Sequence, residues 1–184
     1  MKSACLAILL LSACPAVAQT TSQPASSTQA DPATQAPCKD PKRPEYRQFD
    51  FWVGEWDVFD NKSDRPVGTS SIQLILKDCV IYENWTGARG FEGKSFNKYN
   101  PWLKQWEQYW VDSGVDRMFF TGHLVDGEMR FQTDGFTEQG KPLHRKLTFY
   151  NRPDGTVRQF SEASTDGKKT YTVEYDFVYK RRKR

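Results

Sequence analysis

Four charged side chains on the predicted central strands of this sequence could recognise or transform a ligand. Glu83 and Glu162 are carboxylates, and Arg145 and Arg158 carry guanidinium groups. A charge that faces a protein interior needs an opposite partner, so glutamate–arginine pairs are the structural interpretation. The functional interpretation is an anchor for an anionic or polar ligand, because the arginine fork matches a carboxylate. Paired carboxylates can also perform acid–base hydrolysis, but the sequence does not give their separation.

Aromatic side chains alternate with single polar groups in the same part of the chain. In residues 106–112, one strand face holds Trp106, Gln108, Trp110 and Asp112, and residues 158–164 alternate in a similar way. A mixed aromatic and polar face is typical of the cavity side of a small barrel, whereas a water-facing side is more uniformly charged. We therefore predict a ligand-binding set: Glu83, Trp85, Asn97, Tyr99, Trp106, Gln108, Trp110, Arg145, Arg158 and Glu162.

Motifs for catalysis, metals and cofactors are absent from the sequence. It has no H-E-x-x-H, no G-x-S-x-G elbow, no glycine-rich phosphate loop and no spacing typical of metal ligands. A lone histidine can serve as an axial haem ligand, so a haem site at His123 or His144 is an alternative interpretation. An isolated histidine on a strand is more often hydrogen-bonded or partly exposed. We predict no catalytic residue, no metal and no cofactor.

The elements that must position these residues are short β-strands. Alternating patterns predict strands over 53–61, 67–77, 80–86, 94–100, 106–112, 117–125, 129–133, 144–151, 157–164 and 170–180. The dipeptides Asp126-Gly127, Asp154-Gly155 and Asp166-Gly167 are typical of hairpin turns. No window has convincing helical periodicity. We predict an all-β fold, an antiparallel up-and-down meander of about ten strands closed into a barrel, with strand one against the final strand.

The first 18 residues have the features of a secretory signal peptide. Lys2 gives a positive start, residues 4–11 are apolar, and Ala16-Val17-Ala18 is an A-x-A cleavage site. An alternative is a lipobox at Leu11-Ser12-Ala13-Cys14, which would make the protein a membrane-anchored lipoprotein with a lipid on Cys14. We favour cleavage after Ala18. Both interpretations place the folded part outside the cytoplasm, in the bacterial periplasm or secreted, with no transmembrane span.

The remaining chain divides by composition. Residues 19–44 are rich in Ser, Thr, Gln and Pro, and they predict a disordered linker. All 26 aromatic residues lie from Tyr46 onward, so residues 45–184 are predicted to form the barrel domain. The formal net charge is +3, of which the last five residues contribute +5, so the rest of the chain carries −2. This balance argues against a nucleic-acid partner, which needs a basic face.

Two cysteines remain in the mature chain after cleavage at Ala18. Cys38 and Cys79 in an oxidising compartment suggest one disulfide between the start of the domain and the turn after the second strand. The alternative is two unpaired thiols, with Cys79 buried as a small apolar residue.

Several motifs resemble known barrels. Gly54-Glu55-Trp56 is similar to the G-x-W signature of lipocalin-like (calycin) barrels, in which the tryptophan closes the barrel base. The longer pattern F-D-F-W-x-G-E-W-D-V over residues 49–58 resembles the opening of a widespread family of exported bacterial proteins classed as a domain of unknown function. Similar positions continue over residues 46–181, with Tyr171 where a tryptophan is expected. The resemblance implies a lipocalin-like barrel with Trp56 as its closing residue, and it implies no activity.

These observations lead to three functional hypotheses. The first is an exported, non-catalytic barrel that binds a small, partly apolar ligand. The second is a structural or interaction protein of the cell envelope whose barrel is filled by its own side chains. The third is an enzyme, for which the sequence offers no catalytic constellation.

Overall fold

The computed structural model describes residues 37–183, which contain ten antiparallel strands. The strands are β1 (Gly54–Asp60), β2 (Pro66–Ile75), β3 (Val80–Gly87), β4 (Glu92–Asn100), β5 (Gln105–Asp112), β6 (Arg117–Val125), β7 (Glu128–Phe136), β8 (Pro142–Asn151), β9 (Val157–Ser164) and β10 (Thr172–Arg181). Each strand pairs with its sequence neighbours, and the sheet closes into a barrel. The predicted ten-strand meander is confirmed. The predicted signal peptide, the alternative lipid site at Cys14 and residues 19–36 of the linker lie outside the described residues.

The hairpin turns follow from the residues that form them. Between β6 and β7, Asp126 and Gly127 have φ values of 53° and 81°. Positive φ at both central residues is what a two-residue type I′ turn requires, and this turn matches the twist of the flanking strands. The aspartate–glycine signals therefore place the chain reversals where the sequence predicts them.

The barrel closes between its first and last strands. Trp56 of β1 lies opposite Arg181 of β10, and Asp60 lies opposite Phe177. The Arg182 N–H donates to the Glu55 carbonyl at 3.0 Å, which extends this seam past the end of β10. Closure gives both outer strands a partner and removes the exposed edges of an open sheet.

Between residue 37 and β1, the structure has three short 3-10 helices: η1 (Pro37–Lys39), η2 (Pro44–Arg47) and η3 (Asp50–Trp52). This segment carries Phe49 and Trp52 into the barrel, where their rings stack with centroids 5.0 Å apart. The Trp56 Nε1–H donates to the Trp52 carbonyl at 2.8 Å. Phe49, Trp52 and Trp56 are fully buried, and we call them the aromatic plug. Within residues 37–183, no helix has the length and apolar character to cross a membrane.

A disulfide joins the helical segment to the strands. Cys38 of η1 and Cys79 in the β2–β3 turn are bonded, with their Cα atoms 5.1 Å apart. Next to this bond, the Lys39 ammonium lies 2.9 Å from the Asp78 carboxylate, and the Arg47 guanidinium donates to the Asp78 carbonyl. The predicted disulfide is confirmed, and it fastens the chain that carries the aromatic plug to the same end of the barrel.

Replacing Trp56 by alanine should destabilise the fold by roughly 3–5 kcal/mol, because the side chain is completely buried and leaves a cavity. Urea unfolding of the purified variant measures the change. The matched control is Trp102→Ala, since Trp102 is 88% exposed and its loss should change stability by less than about 0.5 kcal/mol. A Trp56→Ala variant as stable as the control would show that Trp56 is not needed to seal the barrel.

Candidate functional site

The half of the barrel away from the aromatic plug contains a cavity of about 300 Å³. It extends from Glu83 in the interior to Phe91 and Asp112 near the loops after β3 and β5. Most of its wall is aromatic or aliphatic. The lining residues are Glu83, Trp85, Phe91, Gln108, Trp110, Asp112, Met118, Phe120, Leu147, Gln159, Tyr175, Phe177 and Tyr179.

Two glycines allow the tryptophans of the wall to lie flat against the sheet. A Cβ atom at Gly93 would collide with the Trp110 ring, and one at Gly68 would come within 2.7 Å of the Trp85 ring. The Trp110 Nε1–H donates to the Asp112 carboxylate at 2.9 Å, which fixes the other edge of that ring. The indoles are therefore held by the backbone and by a local hydrogen bond.

A chain of buried polar groups crosses the wall from β5 to β2. The Gln108 Nε2–H donates to the Asn97 Oδ1 at 2.7 Å, and the Asn97 Nδ2–H donates to the Ser95 Oγ at 2.9 Å. The Ser95 hydroxyl donates to one oxygen of Glu83 at 2.9 Å, and the Ser70 hydroxyl donates to the other at 3.1 Å. All five residues are buried, so this network fixes the Glu83 carboxyl group at the cavity wall.

Glu83 carries an unusual protonation equilibrium. Burial raises the pKa of its carboxyl group to about 7, although hydrogen bonds from Ser95 and Ser70 and the charge of Lys94 act in the opposite direction. Desolvation dominates because no cationic side chain in the described chain lies within ion-pair distance of the carboxylate. Glu83 can therefore exchange a proton near neutral pH.

The opposite wall is formed by β9 and β10. The Tyr175 and Phe177 rings stack with centroids 4.8 Å apart, and Phe177 lies nearly parallel to Trp85 at 6.2 Å. The Tyr179 hydroxyl donates to the Gln159 Oε1 at 2.6 Å. Burial raises the pKa of both tyrosines, so their phenols stay protonated at neutral pH.

The structure brings together part of the predicted ligand-binding set. Glu83, Trp85, Gln108 and Trp110 line the cavity, and Asn97 supports them through the polar network. Two further aromatics point into the other half of the barrel. Tyr99 packs against Tyr46, and Trp106 packs against Phe49. Tyr99 and Trp106 therefore belong to the sealed end and do not line the cavity.

Arg145 lies beside the cavity and does not line it. Its Nε–H donates to Glu174 at 2.9 Å, and its Nη1–H points to the Met118 sulfur at 3.3 Å. Arg145 borders a separate cleft between β6 and β7. The pairing that the structural interpretation expected therefore occurs, but the partner is Glu174.

The predicted orientation of β9 is wrong. Arg158 and Glu162 lie on the outer face of the barrel. The residues that alternate with them, Val157, Ser161 and Ala163, are buried toward the core. Arg158 forms two hydrogen bonds with Asp176 at 2.7 and 3.0 Å, and Glu162 lies 3.6 Å from Lys146. On this outer face the Arg158 guanidinium covers the Phe160 ring, 4.6 Å from the ring centroid.

The histidines lie away from the cavity. His144 is on the outer face of β8, where its Nδ1 lies 2.7 Å from an Asp134 oxygen and its ring contacts Tyr171. His123 is exposed. Tyr171 also packs under the Lys146 ammonium, so this position does not alter the cavity volume. Among residues 37–183, no three His, Cys, Asp or Glu side chains are grouped closely enough to hold a metal ion.

The residues of the opposite wall, which β9 and β10 form, were not predicted from the sequence. The alternation of Tyr175, Phe177 and Tyr179 in β10 is the signal that could have identified it, together with Gln159 as their polar neighbour on β9. The other missed lining residues are Phe91, Met118, Phe120 and Leu147, whereas Asp112 lies on the face of β5 that the sequence assigned to the cavity.

These features define a closed antiparallel β-barrel with one sealed end and a polar group deep in an aromatic cavity. A scan of the chain against protein-family models finds no match, and a search of curated proteins finds none either. The resemblance to the exported family with the F-D-F-W-x-G-E-W-D-V opening therefore stays a prediction.

The free energy of unfolding should fall as the pH rises from about 4.5 to about 7. The folded state holds the Glu83 proton over this range, whereas the unfolded chain releases it, so the folded state loses relative stability with each pH step. The whole effect is on the order of 3 kcal/mol. Glu83→Gln keeps a neutral group in place, so it should remove this contribution and be more stable than the wild type near pH 8.

Urea unfolding at several pH values tests this expectation. Glu162→Gln is the matched control, because Glu162 lies on the outer face and the variant should keep the wild-type pH dependence. Parallel pH profiles for the wild type and Glu83→Gln would show that Glu83 does not titrate abnormally.

Proposed function

We propose that this protein binds a small, partly apolar molecule in the open half of its barrel without chemically changing it. The observation that carries the proposal is the cavity of about 300 Å³ with a buried carboxyl group in its wall. This volume is at the lower end of the range for small-molecule sites. Most such sites combine apolar walls with a few fixed polar groups, and this cavity has the same composition.

The polar groups supply orientation, and the aromatic walls supply most of the binding free energy. Burial of apolar ligand surface against Trp85, Trp110 and Phe177 is favourable by about 25 cal/mol for each Å². Glu83, Gln108 and Gln159 provide hydrogen-bonding groups in the cavity wall. Since the network holds Glu83 and Gln108 in place before a ligand arrives, little ordering cost remains for binding.

We further propose that the protein works outside the cytoplasm. The disulfide between Cys38 and Cys79 fits an oxidising compartment. The signal-peptide features of residues 1–18 support the same location, with a lipid on Cys14 as the alternative to cleavage after Ala18. We include in this proposal that the chain belongs to the exported family of unknown function, because export of that family would agree with a location outside the cytoplasm.

A neutral fluorescent probe, N-phenyl-1-naphthylamine, tests the binding proposal. Its fluorescence should rise when it enters the cavity, and Phe91→Ala should weaken its binding by about fivefold to tenfold, because the Phe91 ring contributes to the wall. Phe96→Ala is the matched control and should leave binding unchanged. Both rings are almost equally exposed, at 45% and 46%, but Phe96 lies on the outer face of β4 and does not line the cavity.

Absence of any fluorescence increase, together with native mass spectra of envelope-purified protein that contain no bound molecule, would contradict the proposal. That result would favour the envelope structural protein. The observation that supports this second candidate is the sealed half, which the protein's own aromatic residues fill. Equal loss of binding in both variants would place the probe on the outer surface and would also contradict the proposal.

A further inference from the structure

The charge of the cavity lining has one sign. Among the lining residues in the described part of the chain, Glu83 and Asp112 are the acidic ones, and no lysine, arginine or histidine joins them. Glu83 lies deep in the wall, and Asp112 lies near the loops that follow β3 and β5. An anionic ligand would be repelled by both carboxylates.

Neither carboxylate is neutralised by a cationic side chain of the described chain. Glu83 accepts hydrogen bonds from the hydroxyl groups of Ser70 and Ser95. Asp112 accepts bonds from the Trp110 indole and from the Gly114 N–H. These neutral donors satisfy the oxygen atoms but leave the charge without a counter-ion, which is costly for a group as buried as Glu83.

The aromatic wall also favours positive charge. Ring faces carry a negative potential, and cations bind over them within about 6 Å, most strongly over tryptophan. Trp85 and Trp110 lie on one side of the cavity, and Tyr175 and Phe177 lie on the other. The wall therefore attracts cations through its rings as well as through its carboxylates.

We propose that the cavity binds a small organic cation, a protonated amine attached to an apolar group. The inference rests on the proposed binding function and adds the charge of the ligand to it. The ammonium group supplies the counter-charge that Glu83 lacks, and the apolar group contacts the rings of Trp85, Trp110 and Phe177. Above about pH 7, where Glu83 has lost its proton, a neutral ligand would leave this carboxylate desolvated and unpaired.

Amine binding should strengthen as Glu83 loses its proton. The other titratable or charged groups along the cavity are Lys94 on β4, Asp112 on β5, and Tyr175 and Tyr179 on β10. Beside the cavity, the Arg145 guanidinium acts on Tyr175 but is paired with Glu174 at 2.9 Å. Lys94 hydrogen-bonds to Asn84 on the outer face, and burial keeps both phenols protonated. Since burial brings the pKa of Glu83 to about 7, the affinity for an amine should rise roughly tenfold between about pH 5.5 and about pH 8.

Three probes with the same phenyl ring test the inference: 2-phenylethylamine, 2-phenylethanol and phenylacetate. Calorimetric titration near pH 8 should give the amine an affinity at least about tenfold higher than that of the alcohol, with phenylacetate weakest. In Glu83→Gln, the amine and the alcohol should differ by less than about threefold. Glu162→Gln is the matched control and should keep the full preference, because Glu162 lies outside the barrel.

The possible results separate this inference from the proposed function. If N-phenyl-1-naphthylamine binds but the alcohol or phenylacetate equals the amine, the cation inference is wrong and the binding function stands. If neither the naphthylamine nor any phenyl probe binds, both fail. If circular dichroism shows that Glu83→Gln does not fold, the affinities of the wild-type protein for the amine and the alcohol at several pH values test the inference instead. An amine affinity that rises with pH while the alcohol affinity stays constant supports the inference, and equal pH profiles overturn it.

Discussion

The width of a ten-stranded barrel is the constraint on which the rest of this structure depends. Eight strands enclose about as much space as inward side chains can fill, and the diameter grows with each added strand. This chain fills one half with a segment that precedes the sheet: Phe49 alone contacts Trp106, Phe131 and Phe149. The disulfide at Cys38 fastens that segment to the strands. Among residues 37–183, no such insert enters the other half, and the cavity lies there.

The polar network in the open half opposes stability. Its oxygen and nitrogen atoms are paired, yet the Glu83 charge has no counter-ion among the described residues, and burial penalises its ionised form. An apolar side chain at that position would pack without this cost. Native sequences usually accept such a local conflict where a site must recognise something, so the cost itself points to a functional role. At the sealed end, burial also raises the pKa of Asp50, but this carboxylate is 32% exposed and lies 3.4 Å from the Arg47 guanidinium, so its charge has a partner that Glu83 lacks.

Alternation and turn chemistry were sufficient to predict the fold, because strand positions, hairpins and the closure of β1 on β10 depend on local patterns. The site was harder to predict, because alternation gives the period of a strand but does not show which face points inward. On β9 three of the four inward residues, Val157, Ser161 and Ala163, have short side chains and only Gln159 is long, while the outward Arg158 covers Phe160, so the aromatic face was assigned to the wrong side. The sequence also does not show how far along the barrel axis an inward side chain lies. Trp106 and Gln108 share a face of β5, but Trp106 packs against the aromatic plug and Gln108 reaches the cavity.

Glycine positions connect this architecture to recognition. Gly68 and Gly93 leave room for the Trp85 and Trp110 rings to lie against the neighbouring strands, where any larger residue would push them into the cavity. The walls are thereby shaped by backbone geometry and the carboxyl group by hydrogen bonds, so neither depends on a ligand for its position. A site that is rigid before binding discriminates through fixed shape and fixed charge, because it cannot rearrange to accommodate the wrong partner. Under the proposed binding function, the carboxyl group of Glu83 would then have the greatest influence on which molecule the barrel accepts.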